Sequence, residues 1–149
     1  MQLVVFRLGE QRYALPLAAV ERIVRAVEVT PLPGAPAIVF GAIDVEGRVL
    51  PVLNLWRRLR LPEREIRPAD QFLIAQTARR TVVLVVDEAG GVIERPQSTV
   101  ISSAQIVPGL EQFQGVVQLD DGLALIHDLE KFLSLDEACT LDEAMERAE

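Results

Sequence analysis

The stretch Gly41–Leu55, with the sequence GAIDVEGRVLPVLNL, has a counterpart in Gly115–Leu129, with the sequence GVVQLDDGLALIHDL. The two stretches align without a gap at an offset of 74 residues, so that Asn54 falls on Asp128. Each contains two short apolar runs separated by a turn signal, followed by a residue that can cap a helical turn. An internal repeat of this kind predicts two copies of one structural unit.

A second match extends the repeat towards the N-terminus. Residues 2–24 align with residues 71–93 at an offset of 69, again without a gap. Short runs rich in Val, Ile and Leu, bounded by turn signals, predict five strands in each half of the chain. The ten predicted strands are Leu3–Leu8, Arg12–Leu17, Ile23–Val29, Gly41–Val45, Val49–Leu55, Phe72–Thr77, Thr81–Val86, Val92–Arg95, Gly115–Leu119 and Leu123–His127.

A five-strand unit of about 65 residues closes naturally into a small barrel, which removes exposed sheet edges. We therefore predict a mainly β protein, one domain over 1–149, in which two five-stranded barrels share a hydrophobic core. The two halves span approximately 1–65 and 66–135. Helices are expected as short turns at Leu17–Arg22, Leu55–Leu59 and Leu129–Leu133, and as a C-terminal helix over 136–148. The expected core residues are Val5, Leu15, Val52, Leu53, Leu73, Leu84, Val85, Val117 and Ile126.

Composition excludes several classes of protein. Of the 149 residues, 50% are hydrophobic, which excludes intrinsic disorder, and the net charge of −7 argues against nucleic acid as the partner. The longest aliphatic run, Val82–Val86, is far too short for direct membrane insertion. Met1–Leu8 carries no signal-peptide pattern, and Cys139 is the single cysteine. We therefore expect a cytoplasmic protein.

A group of arginines stands in the middle of the chain, where Arg60–Asp70 is the expected connector between the halves. The arginines are interleaved with Glu63 and Glu65, and a solvated linker is the favoured interpretation. A phosphate or nucleic-acid site is the alternative, although no glycine-rich loop or aromatic residue accompanies them. The arginines are Arg57, Arg58, Arg60, Arg64 and Arg67.

Residues with catalytic chemistry are scarce. His127 is the only histidine, and Cys139 alone cannot complete a zinc site, so no metal or cofactor is expected. A triad built from Ser102 or Ser103 with His127 and Asp128 lacks a nucleophile-elbow pattern, which favours a structural histidine and no enzymatic activity. Asp120 and Asp121 precede Gly122 and indicate a hairpin turn. For Trp56, core packing is favoured over a role as a partner-facing anchor.

The order and spacing of several motifs resemble the CheW family over about Gln2 to Leu135. The resemblance implies two intertwined five-stranded SH3-like barrels around a shared core, without chemistry of their own. It also implies that the chain is a scaffold that couples chemoreceptor tips to the regulatory domain of a CheA-type histidine kinase. The motifs are LVVFRLGEQRYALPL at Leu3–Leu17, VERI at Val20–Ile23, PGAP at Pro33–Pro36, the Gly41–Leu55 stretch, VVD at Val85–Asp87 and LEKFL at Leu129–Leu133.

One departure from the family pattern concerns the hairpin that contributes to the receptor-facing surface. The family sequence there is Asn-Leu-Arg-Gly, whereas this chain has Asp-Val-Glu-Gly, so that Glu46 reverses the charge of the arginine. This predicts a divergent receptor partner with a basic patch. Carried over from the family positions, the partner-binding residues are Val20, Gly41, Ile43, Val45, Glu46 and Gly47.

Two other functions stay open at this point. A small-ligand or peptide-binding β-barrel module would use a groove on one of the barrels. A hydrolase would need a deep pocket with perturbed carboxylates.

Overall fold

The computed structural model describes residues 1–102 and 113–148. Within these ranges the chain forms strands, two α-helices and three short 3-10 turns, in an order that alternates hairpins with short helical elements. The strands are β1 Gln2–Leu8, β2 Gln11–Pro16, β3 Val20–Arg25, β4 Val39–Val45, β5 Arg48–Leu53, β6 Gln71–Gln76, β7 Thr81–Val86, β8 Glu88–Glu94, β9 Ile101–Ser102, β10 Phe113–Leu119 and β11 Gly122–His127. The helices are α1 Leu55–Arg58 and α2 Leu135–Ala148, and the 3-10 turns are Leu17–Ala19, Gln97–Thr99 and Leu129–Lys131.

Two sheets contain all of these strands. One has the order β8-β1-β2-β11-β10-β9 and the other the order β3-β6-β7-β5-β4. Most neighbours are antiparallel, but each sheet contains one parallel pair, β2 with β11 and β5 with β7. Each sheet therefore takes strands from both halves of the chain, so the sequence halves 1–65 and 66–135 do not coincide with the sheets.

The repeat relates the two sheets strand by strand. Through the offsets of 69 and 74 residues, the order β3-β6-β7-β5-β4 becomes β8-β1-β2-β11-β10. The sixth strand, β9, pairs Ile101 with Val116, and its counterpart is the isolated bridge between Thr30 and Ala42. Both copies of the central motif fold as a hairpin, a capping Asn or Asp, and a helical turn. The predicted common topology of residues 41–59 and 115–133 is thus confirmed.

The aligned glycines of the repeat lie where two backbones approach closely. A Cβ on Gly41 would overlap the carbonyl oxygen of Thr30, and a Cβ on Gly115 would overlap that of Ile101. The strand register shifts beside both glycines, as expected for β-bulges. The two glycines therefore perform the same packing task in each half.

The structure corrects two local predictions. The strand predicted at Ile23–Val29 lies at Val20–Arg25, because the alternating residues after Ala19 pair at once with β6. The helical turn predicted at Leu17–Arg22 accordingly ends at Ala19. The strand predicted at Val92–Arg95 lies at Glu88–Glu94, because Gly90 and Gly91 continue the strand instead of forming a turn before it, and Gly91 has a φ of +46° beside a register shift.

The core agrees closely with the predicted one. Of the nine predicted core residues, eight are at most 1% exposed. Val5 is half-buried instead and packs against the outside of a smaller cluster that contains Leu3 and Val117. Trp56 is buried in the main cluster, which confirms its role in core packing.

The glycine contacts generate a stability prediction. We expect Gly115→Ala and Gly41→Ala each to lower the free energy of unfolding by about 1–3 kcal/mol, because the new methyl group must displace backbone. Gly90→Ala is the matched control, since a Cβ there meets no atom within 4 Å, and it should change stability by less than about 0.5 kcal/mol. Urea unfolding of the three variants measures this, and equal losses in all three would contradict it.

Candidate functional site

The hairpin between β4 and β5 lies at one end of the five-stranded sheet β3-β6-β7-β5-β4, which we call the first barrel. Val45 pairs with Arg48, so Glu46 and Gly47 are the two turn residues. Their φ angles are +52° and +86°, as a type I′ turn requires. The carboxylate of Asp44 accepts a hydrogen bond of 2.8 Å from the backbone N–H of Gly47, which holds the turn closed.

Two ion pairs join this turn to β3, the strand at the opposite edge of the same sheet. Arg22 lies 3.3 Å from Glu46, and Arg48 lies 2.5 Å from Glu21. The hydrogen bond from Arg48 lowers the pKa of Glu21 below its ordinary value, and the charges of Arg48 and Arg22 add to this effect. Sequence reasoning missed Glu21 and Arg22, because the proximity of the two edge strands is not encoded locally.

The structure brings together only part of the predicted site. Val20 and Val45 are half-buried near this end, while Glu46 and Gly47 are exposed. Glu46 projects furthest, with 78% of its side chain exposed. Ile43 is only 5% exposed, and Gly41 is buried against Thr30, so these two lie beneath the surface.

The six-stranded sheet, which we call the second barrel, ends in a two-residue hairpin of the same length between β10 and β11, but neither turn residue has the positive φ seen at Glu46 and Gly47. Its turn residues are Asp120 and Asp121, which confirms the predicted hairpin. Asp121 pairs with Arg12 at 2.5 Å, and Asp120 lies 3.7 Å from Arg95. Gly90 and Gly91 stand in β8 about where β3 carries Glu21 and Arg22. A cavity of about 380 Å³ lies here, lined by apolar residues that include Val5, Ile93 and Leu119.

Of the five mid-chain arginines, Arg57, Arg60 and Arg67 are exposed, as the interpretation as a solvated linker requires, whereas Arg58 and Arg64 are partly buried and paired within the protein, which corrects that interpretation for these two. Arg64 stacks over the ring of Trp56 at 4.5 Å and pairs with Asp70 and Asp87. Asp70 is only 2% exposed. Its burial opposes ionisation, but hydrogen bonds from Arg64 and from the Arg67 backbone outweigh burial and lower its pKa. The Asp87 carboxylate also accepts a hydrogen bond from Gly9, so this network ties the connector to the β1–β2 turn.

Two further arginines of the same group are paired as well. Arg57 pairs with Glu63, and Arg58 pairs with Glu137 of α2. These pairs neutralise charges that a phosphate site would have required.

His127 is buried between aromatic rings rather than placed in a cleft. Its ring centroid is 5.7 Å from that of Phe113 and 5.9 Å from that of Phe132. Within the described residues neither ring nitrogen has a hydrogen-bond partner. Burial, and then the charge of Arg58, lower its pKa to about 4. Ser103, the second serine considered for a triad, lies outside the described residues, and Ser102 lies in β9.

The neutral His127 generates a prediction about pH. In the unfolded chain its pKa is about 6.5, so between pH 6.5 and 4 the unfolded state binds more protons than the folded state. We expect the free energy of unfolding to fall by about 2 kcal/mol between about pH 6.5 and 4.5. His127→Phe should remove this fall, whereas carboxylates with a lowered pKa, such as Glu21 and Asp70, act at lower pH. An unchanged pH profile of the variant in urea titrations would contradict this assignment.

Comparisons with known proteins agree with this architecture. The family model of the CheW-like domain matches residues 2–137. The chain is 31% identical over 142 residues to the chemotaxis protein CheW of Treponema pallidum (strain Nichols), covering 91% of this chain and 84% of the relative. It is 32% identical over 96 residues to the protein FrzA of Myxococcus xanthus, covering 64% and 60% of the two chains.

A solved structure has the same fold. The crystal structure of the scaffolding protein TtCheW from Thermoanaerobacter tengcongensis matches with a TM-score of 0.82 at 24% identity, over 91% of this chain and 94% of that one. This likeness confirms the predicted pair of barrels. Among the described residues, none of the helices has the length and apolar character that crossing a membrane requires. Since the family model covers nearly the whole chain and a relative at 31% identity covers most of it, this chain belongs to the CheW family.

Proposed function

We propose that this protein is a non-enzymatic chemosensory scaffold that couples a receptor tip, or a divergent equivalent, to the regulatory domain of a CheA-type histidine kinase. Family membership and the names of the relatives support a role in chemotaxis. The observation that carries the proposal is the pair of barrel ends, which have equivalent strand pairing but differ in turn conformation and in chemistry. A scaffold for two different partners needs two unlike surfaces on one rigid body.

The first barrel end is proposed to face the receptor. Glu46 occupies the first turn position, where Asn, Asp or Gly is preferred, and a non-glycine residue with positive φ costs on the order of 1 kcal/mol. The exposed pair with Arg22 offsets at most about 1 kcal/mol. A strained, protruding carboxylate is more readily understood as a recognition residue than as a folding residue.

The charge of Glu46 favours a basic partner. The five charged residues of this end, Glu21, Arg22, Asp44, Glu46 and Arg48, sum to −1. In addition, Glu46 is much more exposed than Arg22, so an approaching partner meets the carboxylate first. An acidic receptor tip of the usual kind would be repelled, because like charges at an interface oppose binding.

The second barrel end is proposed to face the kinase. Its cavity has an apolar lining and a charged rim that includes Arg12, Arg95 and Asp120. An apolar centre with a polar rim is the usual anatomy of a protein interface. A regulatory domain that is itself CheW-like would present a barrel end of similar shape to this cavity.

A matched pair of charge reversals tests the assignment of the two ends. Glu46→Arg should strengthen binding to an acidic receptor tip by roughly tenfold and weaken binding to the protein's own receptor partner. Asp120→Arg makes the same change in charge at the equivalent turn, and it should alter binding of the kinase regulatory domain instead.

Titrations of both variants against both partners, at low and high salt, measure these effects. The effects should shrink at high salt, because the residues are exposed. Equal effects of the two variants on each partner would refute the division of labour, and no effect on either partner would place both turns outside the interfaces.

The turn strain gives an independent prediction. Glu46→Asn should raise the free energy of unfolding by up to about 1 kcal/mol, because Asn adopts positive φ more readily. The same variant should weaken binding of the natural receptor partner. A variant that is both less stable and fully active would show that Glu46 is retained for folding and not for recognition.

The peptide-binding module stays the second candidate function. The cavity adjoins β8, an edge strand with two glycines, and an extended peptide can add to such an edge. Slowed amide hydrogen exchange along β8 on addition of a peptide, without any binding of a kinase domain, would favour this alternative.

A further inference from the structure

The C-terminal helix α2 lies mostly beyond the segment that matches the family. The match ends at residue 137, whereas α2 continues to Ala148. One face of the helix is nevertheless well buried against the main core, through Ala138, Leu141, Ala144 and Met145. Apolar residues spaced in this way make α2 an amphipathic helix.

The surface on which α2 packs carries arginines that pair with the acidic residues of the helix. Residues 136–148 contain five acidic residues and one arginine. Asp142 pairs with Arg80 at 2.7 Å and with Arg79 at 3.4 Å, and Glu137 pairs with Arg58. We call the surface beneath α2 the arginine groove; it consists of Arg58, Arg79, Arg80, Glu130, Val82, Leu129 and Phe132, so that three arginines outweigh one carboxylate.

α2 does not fill the arginine groove completely. A cavity of about 330 Å³ remains between the helix and the barrel, with Ala138 and Leu141 on the helix side and Val82 and Leu129 on the barrel side. Leu135, beside the cavity, is 75% exposed. The cavity is partly open to solvent, so a larger side chain at the position of Ala138 would have room to extend into it and to cover its apolar lining.

We propose that the arginine groove is a docking site for an acidic amphipathic helix of a partner protein, and that α2 occupies this site in cis until the partner displaces it. Three features define the chemistry of the partner. They are the positive charge of the groove, its apolar floor and the acidic helix that already packs against it. Binding of an amphipathic helix in a groove is a common recognition mode. The groove borders Leu53, at the end of β5 that lies opposite the Glu46 turn, so this site is separate from the proposed receptor surface.

A partner helix must compete with α2, which is tethered beside the groove, and it therefore needs a higher affinity for the groove than α2 has. A segment of the same chain has an effective concentration in the millimolar range, so a free helix of equal affinity displaces it poorly. A helix that fills the remaining cavity gains the transfer free energy of the added carbon atoms. The partner helix should therefore carry a large apolar residue where α2 has Ala138.

Fluorescein-labelled peptides with the sequence of residues 134–148 test the proposal against the full-length protein. The peptide with Ala138→Leu should bind wild type at least about tenfold more tightly than the native peptide. In the protein, Asp142→Arg should loosen α2 and increase binding of both peptides by about tenfold, because it breaks two ion pairs. Ala138→Leu in the protein should fill the cavity, raise the melting temperature and reduce peptide binding.

A charge swap separates docking from a merely structural role. Arg80→Glu in the protein should abolish binding of the native peptide, and a peptide with Asp142→Arg should restore it. Glu143→Arg is the matched control, since Glu143 lies on the exposed face of α2 and the change in charge is the same. Fluorescence anisotropy reports each affinity, and Asp142→Asn replaces Asp142→Arg if the latter unfolds in circular dichroism.

Two results would overturn the proposal. One is a failure of either peptide to bind the loosened protein, or binding that is indifferent to Arg80. The other is a dimer of the Asp142→Arg protein that the peptide dissociates, which would make a second copy of this chain the occupant. Neither result bears on the charge reversals at the barrel ends.

Discussion

Four strand pairs hold the halves of the chain together, the parallel pairs β5–β7 and β2–β11 and the antiparallel pairs β1–β8 and β3–β6. In the first, Val52 lies beside Val83, and in the second, Ala14 lies beside Ile126. All four side chains are fully buried. Because each half gives a hairpin to the sheet of the other, neither half has a complete sheet of its own, and a fragment would expose unpaired strand edges. The repeat therefore specifies one cooperative domain rather than two.

Because the two halves exchange hairpins, packing and backbone contacts fix the residues of the strands. The residues of the turns take no part in these contacts and can differ between the two halves. Gly41 and Gly115 are fixed by close contacts between backbones, and the buried faces of the strands are fixed by packing. The turn residues Glu46 and Asp120 touch none of these contacts. Turns at corresponding ends of one rigid body can thus acquire different residues and different conformations without any change in the strands, and a scaffold with two partners requires this freedom.

Features that have a local or repeating signature in the sequence could be predicted from the sequence alone. Alternating apolar residues indicated the strands, and the offset of 74 residues indicated the common hairpins. Features that depend on distant partners left no such signature. The pairing of Arg22 with Glu46 joins opposite edges of a sheet, and Arg64 finds Asp87 on another element. Gly91 was ambiguous for a different reason, because glycine favours both turns and bulges.

The ion pairs of this protein divide by burial into two kinds with different physical roles. The pair of Arg64 with the buried Asp70 cannot be exchanged for a contact with another molecule, because separating the two would leave a buried carboxylate without a partner. The pairs at the Glu46 turn and along α2 are partly or largely exposed, so water and a partner compete for the same groups at little cost. Burial therefore separates the charged residues that hold the barrels together from those that remain available for recognition, and pairs of the second kind occur at all three places where we propose that partners bind.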